Sequence, residues 1–279
     1  MQHEVCINLC DIAGYYEQRY ADAAQIIETI CKQARLPQPT RIVLGSNFCA
    51  NYFLGMSDRL VAGMARYCQA KGLGLTLTAP IFSQRLLARG KARVEELLDR
   101  YAGAVDEVTV NDYGMLCQRS LLAKVKVVMG RLFWKEYRDC RYPEFDATPY
   151  RATFLNDDLS TLLDQNGVTG IELDILHTQM DLSQIPAAYS VGLHTPYTYI
   201  TTGQICQYAS TDQPATAKFR PNEPCALPCM QQAVGYRLPG GEHFLKVGRT
   251  VYYEQALPQV TGRQSLRLLH FPLPIRRTP

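Results

Sequence analysis

Short apolar runs rich in valine, isoleucine and leucine recur as far as Leu193, most of them followed by a helix-like stretch. This alternation limits the fold more than any other feature of the chain. Residues 4–10, 41–45, 72–80, 105–110, 124–130, 170–175 and 188–193 read as strands. Helix patterns cover 21–34, a stretch after Ser57 with Leu60, Val61, Met64, Ala65 and Cys68 on one face, 90–102, a short segment to about Leu122, and Asn156-Asp157-Asp158 through Leu163. Apolar strands separated by helices pair in parallel through helical crossovers. Seven such units over roughly 200 residues suit a (β/α) barrel. No Gly-x-Gly-x-x-Gly follows the first strand, which weighs against an open dinucleotide-binding sheet. The expected fold class is α/β, a TIM-like barrel that is either complete or missing or distorting one unit.

The texture changes after Cys229. Residues 236–238, 244–247, 251–253 and 266–269 alternate in the manner of short antiparallel strands. The expected division is a barrel over 1–200, then 201–279 as a cysteine-rich loop with a small β ribbon packed on the barrel rim.

The chain begins without a basic segment leading into an apolar one, and no run approaches the ~18 apolar residues of a membrane span. The expected setting is cytoplasmic. A formal net charge of +3 with scattered basic residues does not advertise a polyanion partner. In a reducing compartment ten cysteines point to metal or redox use more than to disulfides. Cys31 and Cys68 lie in helix patterns and read as buried small hydrophobes. Cys6 and Cys10 lie along a strand, where four residues span ~13 Å, too far to share one small centre.

Cys225 and Cys229 differ, because each follows a proline in Pro224-Cys225-Ala226-Leu227-Pro228-Cys229. Proline removes a backbone donor and fixes φ, so this is a stiff loop able to turn both sulfurs toward one point. Cys206 closes a larger loop onto the same place, and Cys49 follows the second strand in Gly45-Ser46-Asn47-Phe48-Cys49. All four fall on loops that a barrel gathers at one rim. Such a sulfur set suits an iron–sulfur cluster or a structural zinc. Cys117 and Cys140 are the substitutes for one of the four.

Four features carry a resemblance to a known family. They are Leu44-Gly45-Ser46-Asn47-Phe48-Cys49, the segment Val128-Met129-Gly130-Arg131-Leu132-Phe133-Trp134 with its continuation to Asp139, the strand Gly170-Ile171-Glu172-Leu173-Asp174, and Cys206 followed by Cys225-x3-Cys229. Together they resemble the collagenase-like, U-class peptidase family, in its UbiU/UbiV-like branch of ubiquinone-biosynthesis proteins and closest to the UbiV type. The resemblance implies a [4Fe–4S] cluster held by Cys49, Cys206, Cys225 and Cys229. It further implies a part in oxygen-independent, anaerobic hydroxylation of a quinone precursor or an RNA base, as catalyst or as one subunit of a heterodimer with a related UbiU-like chain. The gap between Cys206 and Cys225 is longer than the family's usual spacing, and the 140–150 segment departs from its pattern.

Three other readings compete with chemistry at the remaining residues. Arg131 and Glu172, at predicted strand ends, are candidates for an anionic substrate or proton transfer, and equally a structural pair. His194 stands just past a strand, where a hydrogen-bonding structural role competes with catalysis. Tyr197, Tyr199 and Tyr208 approach Cys206, where they would stack on a planar substrate or shield a cluster. No His-Glu-x-x-His or Gly-x-Ser-x-Gly is present, so peptidase activity is not expected. A non-catalytic binding module with a structural metal is the other alternative.

Overall fold

The computed structural model describes residues 2–134, 150–175, 179–211, 213–221, 223–230, 233–237 and 243–273. Cys140, the 135–139 continuation of the Val128–Trp134 segment and most of the 140–150 segment lie outside the described residues. The strands are β1 (Gln2–Asn8), β2 (Arg41–Gly45), β3 (Gly74–Ala79), β4 (Val105–Val110), β5 (Lys126–Met129), β6 (Tyr150–Arg151), β7 (Val168–Asp174), β8 (Gln179–Asp181), β9 (Ser190–Thr195), β10 (Tyr197–Thr202), β11 (Ala233–Arg237), β12 (His243–Val247), β13 (Thr250–Glu254), β14 (Gln259–Thr261) and β15 (Ser265–His270). The α-helices are α1 (Ala13–Glu17), α2 (Ala23–Ala34), α3 (Ala50–Leu54), α4 (Asp58–Lys71), α5 (Gln84–Arg100), α6 (Tyr113–Leu116), α7 (Arg119–Leu122), α8 (Asp157–Gln165) and α9 (Gln207–Ser210).

Eight strands close a barrel in the order β1-β15-β9-β7-β5-β4-β3-β2. Every neighbouring pair is parallel. The barrel is therefore complete, and its eighth strand is the segment read from sequence as ribbon: Leu266-Arg267-Leu268-Leu269 pairs in parallel with β1 and β9. The expected boundary at 200 falls inside β10, which joins β13, β12 and β11 in a four-stranded antiparallel sheet. That sheet is the ribbon the sequence led us to expect, entered one strand earlier and without its last member.

Local chemistry accounts for the helices. Ser57 caps α4 by accepting from the Leu60 amide at 3.1 Å, and the buried face is Leu60, Val61, Met64, Ala65 and Cys68. Asn156 caps α8 through the Leu159 amide at 2.8 Å. Alternation sorts the strand residues: Ile42 and Leu44 join the large core beneath the helices, whereas Val43 meets Cys6, Cys10 and Leu269 in a small cluster inside the barrel.

The barrel interior is unusually charged. At its amino end Arg41 makes two 2.7 Å bonds to Asp106, and Arg267 binds Glu107 at 2.8 Å and Glu4 at 3.0 Å. Midway, the Asn8 amide reaches across to His194 Nδ1 at 3.2 Å, and His194 Nε2 meets Glu172 at 2.9 Å. Nearest the carboxyl end, Arg131 pairs with Asp174. Asp106 and Glu4 are partly exposed, whereas Glu107, Glu172, His194, Arg131 and Asp174 are buried, where losing one partner of a pair leaves an uncompensated polar or charged group.

Candidate metal centre

The carboxyl ends of barrel strands collect loops, and the cysteines meet there. Gly45 ends β2 at φ +124, and a Cβ on it would lie 2.1 Å from the Thr78 carbonyl oxygen. Only glycine lets the chain pass so close to β3 and turn outward. The next residues are clamped by Asp11, a buried residue with φ +65 just past β1. Its carboxylate accepts from the Ser46 hydroxyl and from the Asn47 amide at 3.0 Å. Ser46 Oγ in turn accepts from the Cys49 amide at 2.7 Å, so Cys49 is seated at the start of α3 by a chain that leads back to β1.

The other three cysteines line the same cavity from later in the chain. Cys206 precedes α9, and its carbonyl accepts from the Ser210 hydroxyl at 3.0 Å. The Cys225 loop is tied to α3 by the Asn51 side-chain amide, which donates to the Glu223 carbonyl at 2.6 Å. Cys229 lies in a 3-10 turn, Pro228–Met230. Cys49, Cys206, Cys225 and Cys229 all line one cavity, together with Asp11, Tyr208 and Arg249. Their side chains are not drawn into a closed ligand set: among the described residues no group of three or more His, Cys, Asp or Glu stands at metal-holding spacing. Cys117 is exposed and does not line this cavity.

Electrostatics describe what such a set needs. Burial pushes the Cys49 thiol up to about 11, opposed by the Arg249 guanidinium and a hydrogen bond from the Tyr52 amide. The Cys229 thiol is pushed up further, by burial first and then by charge on Cys49, Cys206 and Cys225. Charge on neighbouring sulfurs disfavours the thiolate form, and a bound cation would favour it. An unsatisfied donor stands beside them: the Tyr208 hydroxyl is buried with no hydrogen-bond partner among the described residues. Sulfur of a bound centre would give it an acceptor. The donor set is all thiol, with no histidine among the four. Soft ligands of this kind fit iron–sulfur or zinc and disfavour calcium or magnesium.

The polar candidates from sequence lie elsewhere. Arg131 is 1% exposed, its Nε 3.2 Å from Asp174 and its NH2 group 3.3 Å from the Tyr197 carbonyl oxygen. Its guanidinium also lies 5.2 Å from the Tyr199 ring and 5.6 Å from the Phe48 ring. Glu172 accepts from Thr109 at 2.8 Å and from His194. Burial and Arg131 hold His194 below the ordinary histidine range. Glu172 stays below the ordinary carboxylate range, because the contacts from His194 and Thr109 outweigh burial. The imidazole is then neutral, its Nε2–H donating to Glu172 and its Nδ1 accepting from Asn8, which leaves no nitrogen for a nucleophile. Tyr197 lines a separate groove with Tyr15, Arg19 and His270. Tyr199 packs edge-on to Phe48 at 5.1 Å, across the barrel mouth. Of the three tyrosines, only Tyr208 reaches the cysteines. Asp11 and Arg249 were missed, since neither stands in a motif; an acidic residue just beyond a first barrel strand was the one available signal for Asp11.

No family profile and no curated protein matches this chain. Among solved structures, a class V chitinase from Pseudomonas fluorescens Pf-5 is similar at 10% identity, over 90% of this chain and 87% of that one, with a TM-score of 0.35. So low a score carries no argument, and the barrel assignment rests on the strand pairing itself.

Proposed function

We propose that the chain is a [4Fe–4S] protein of the collagenase-like U-class peptidase family, in the UbiU/UbiV-like branch, acting in oxygen-independent hydroxylation as one half of a heterodimer with a related chain. The observation that carries the proposal is the convergence of Cys49, Cys206, Cys225 and Cys229 on one cavity from loops far apart in sequence. When bound, the cluster supplies one-electron transfer at a potential set by burial and by hydrogen bonds to sulfur. Tyr208 and Arg249 line the same cavity and would tune it. Four cysteines filling four iron positions leave no iron for a substrate. The Arg131–Asp174 pair with Phe48 and Tyr199 also fills the barrel mouth. Both features favour an electron-transfer role over direct binding of a quinone precursor or RNA base. A cytoplasmic setting belongs to the same proposal; among the described residues no helix is long and apolar enough to cross a membrane.

A structural zinc is the second reading. It is favoured by the cavity's place between the rim residues of α3 and the β12–β13 hairpin, where a metal would staple two parts of the chain. Anaerobic purification with iron, sulfide and zinc quantified separates the two. About four irons and four sulfides per chain, with a visible band that bleaches in air, is the expected result. Cys225→Ser and Cys229→Ser should each lose the band and any redox activity. Zinc without a visible band would replace the redox role with the structural one.

A further inference from the structure

We propose that Arg249 is the positioning residue that locks the Cys49 and Cys206 loops into a single ligand set, an inference that rests on reading the four cysteines as a metal centre. Strands β12 and β13 are joined by only Gly248 and Arg249, since Val247 pairs with Thr250. Gly248 takes φ +56, the positive value a tight two-residue hairpin asks of its first residue. That turn delivers Arg249 into the cysteine cavity, where it is 8% exposed. Its guanidinium donates to the carbonyl of Phe48, the residue before Cys49. It also donates to the Gln204 side chain at 3.3 Å, two residues before Cys206. Beside it, the Gly248 backbone lies against Cys229: a Cβ placed there would be 3.8 Å from the sulfur. One hairpin turn therefore touches the approaches to three of the four cysteines.

A planar, forked donor suits this task. Two arms of one guanidinium hold two loops at a fixed separation, which a lysine ammonium on a flexible stem does not do. Outer residues that orient metal ligands are worth about 10–100-fold in metal affinity. The positive charge also lies in the same cavity as the four sulfurs, so hold and charge act in the same direction.

The test is an anaerobic titration of the reduced, metal-free full chain with cobalt(II), whose sulfur-to-metal charge-transfer absorption reports thiolate ligation. Thermal midpoints of each metal-free chain are measured in parallel. Arg249→Gln should bind cobalt about 10–100-fold more weakly, with lower charge-transfer intensity per bound metal. Arg249→Lys should restore only part of the loss, and Gln204→Ala, which leaves the guanidinium in place, should show a smaller loss. If Arg249→Gln does not fold, Gln204→Ala and Arg249→Lys carry the test. Affinity and intensity within twofold of the parent in the folded variants would overturn the positioning role. So would a loss in Arg249→Gln that only follows a lower metal-free midpoint while Gln204→Ala behaves as the parent. A parent chain with no charge-transfer band, indistinguishable from Cys225→Ser, would instead overturn the four-cysteine reading and the inference with it.

Discussion

His270 stands at the carboxyl end of β15, and burial alone brings its pKa down from 6.5 to about 4. Its folded state takes up a proton less readily than the unfolded chain does. Its contribution to stability is thus present above about pH 6.5 and is lost as pH falls toward 4. The full shift corresponds to at most roughly 3–4 kcal/mol. Asp11 acts in the opposite direction, because burial raises its carboxyl from 3.8 to about 6, and stability falls as pH rises through that window. The two slopes oppose each other, so each partly offsets the other in the parent. Replacing one exposes it: His270→Gln should gain stability relative to the parent on going from pH 7.5 to 4.5. Urea midpoints at the two pH values measure this, and an unchanged difference would mean that His270 titrates normally in the folded chain.

The β2–α3 connection shows how an element and the site depend on each other. Gly45→Ala would push a methyl group into the Thr78 carbonyl and force φ +124 on an alanine. A cost of about 3 kcal/mol or more is expected, with the Ser46–Asp11 clamp and the seat of Cys49 disturbed together. A thermal midpoint close to the parent's, with cobalt binding unaltered, would show that the clamp tolerates the shift. This element was also among the most legible in the sequence. Ile42-Val43-Leu44 is a continuous apolar run, and Ser57 and Asn156 announce their helices through local capping chemistry. Residues whose partners are distant were not legible. Leu266-Arg267-Leu268-Leu269 alternates like a half-exposed ribbon, because Arg267 reads as a solvent-facing charge until it is seen paired with Glu107 inside the barrel. Arg249 was silent for the same reason, its carbonyl partner Phe48 lying 201 positions away. The cysteines were legible as residue types at strand ends and on a proline-stiffened loop, whereas the hairpin turn that reaches them was not.

At the scale of the whole molecule, closure joins the two ends of the described chain: β1 pairs with β15 from Gln2 and Ser265 to Ile7 and His270. A fragment covering 1–200 lacks β15, leaving the β1 and β9 edges unpaired where it belongs. It should show no cooperative thermal transition by circular dichroism, whereas the full chain melts as one barrel. A sharp transition in the fragment would mean that seven strands suffice. The same seam has a temporal side. A ribosome adding roughly 5–20 residues per second spends some tens of seconds between delivering the first strand and the strand that covers its open flank. Through that interval the nascent polypeptide carries unpaired amides and apolar side chains that invite pairing with a neighbour. Topology alone thus sets a long wait between the synthesis of the first strand and the closure of the barrel.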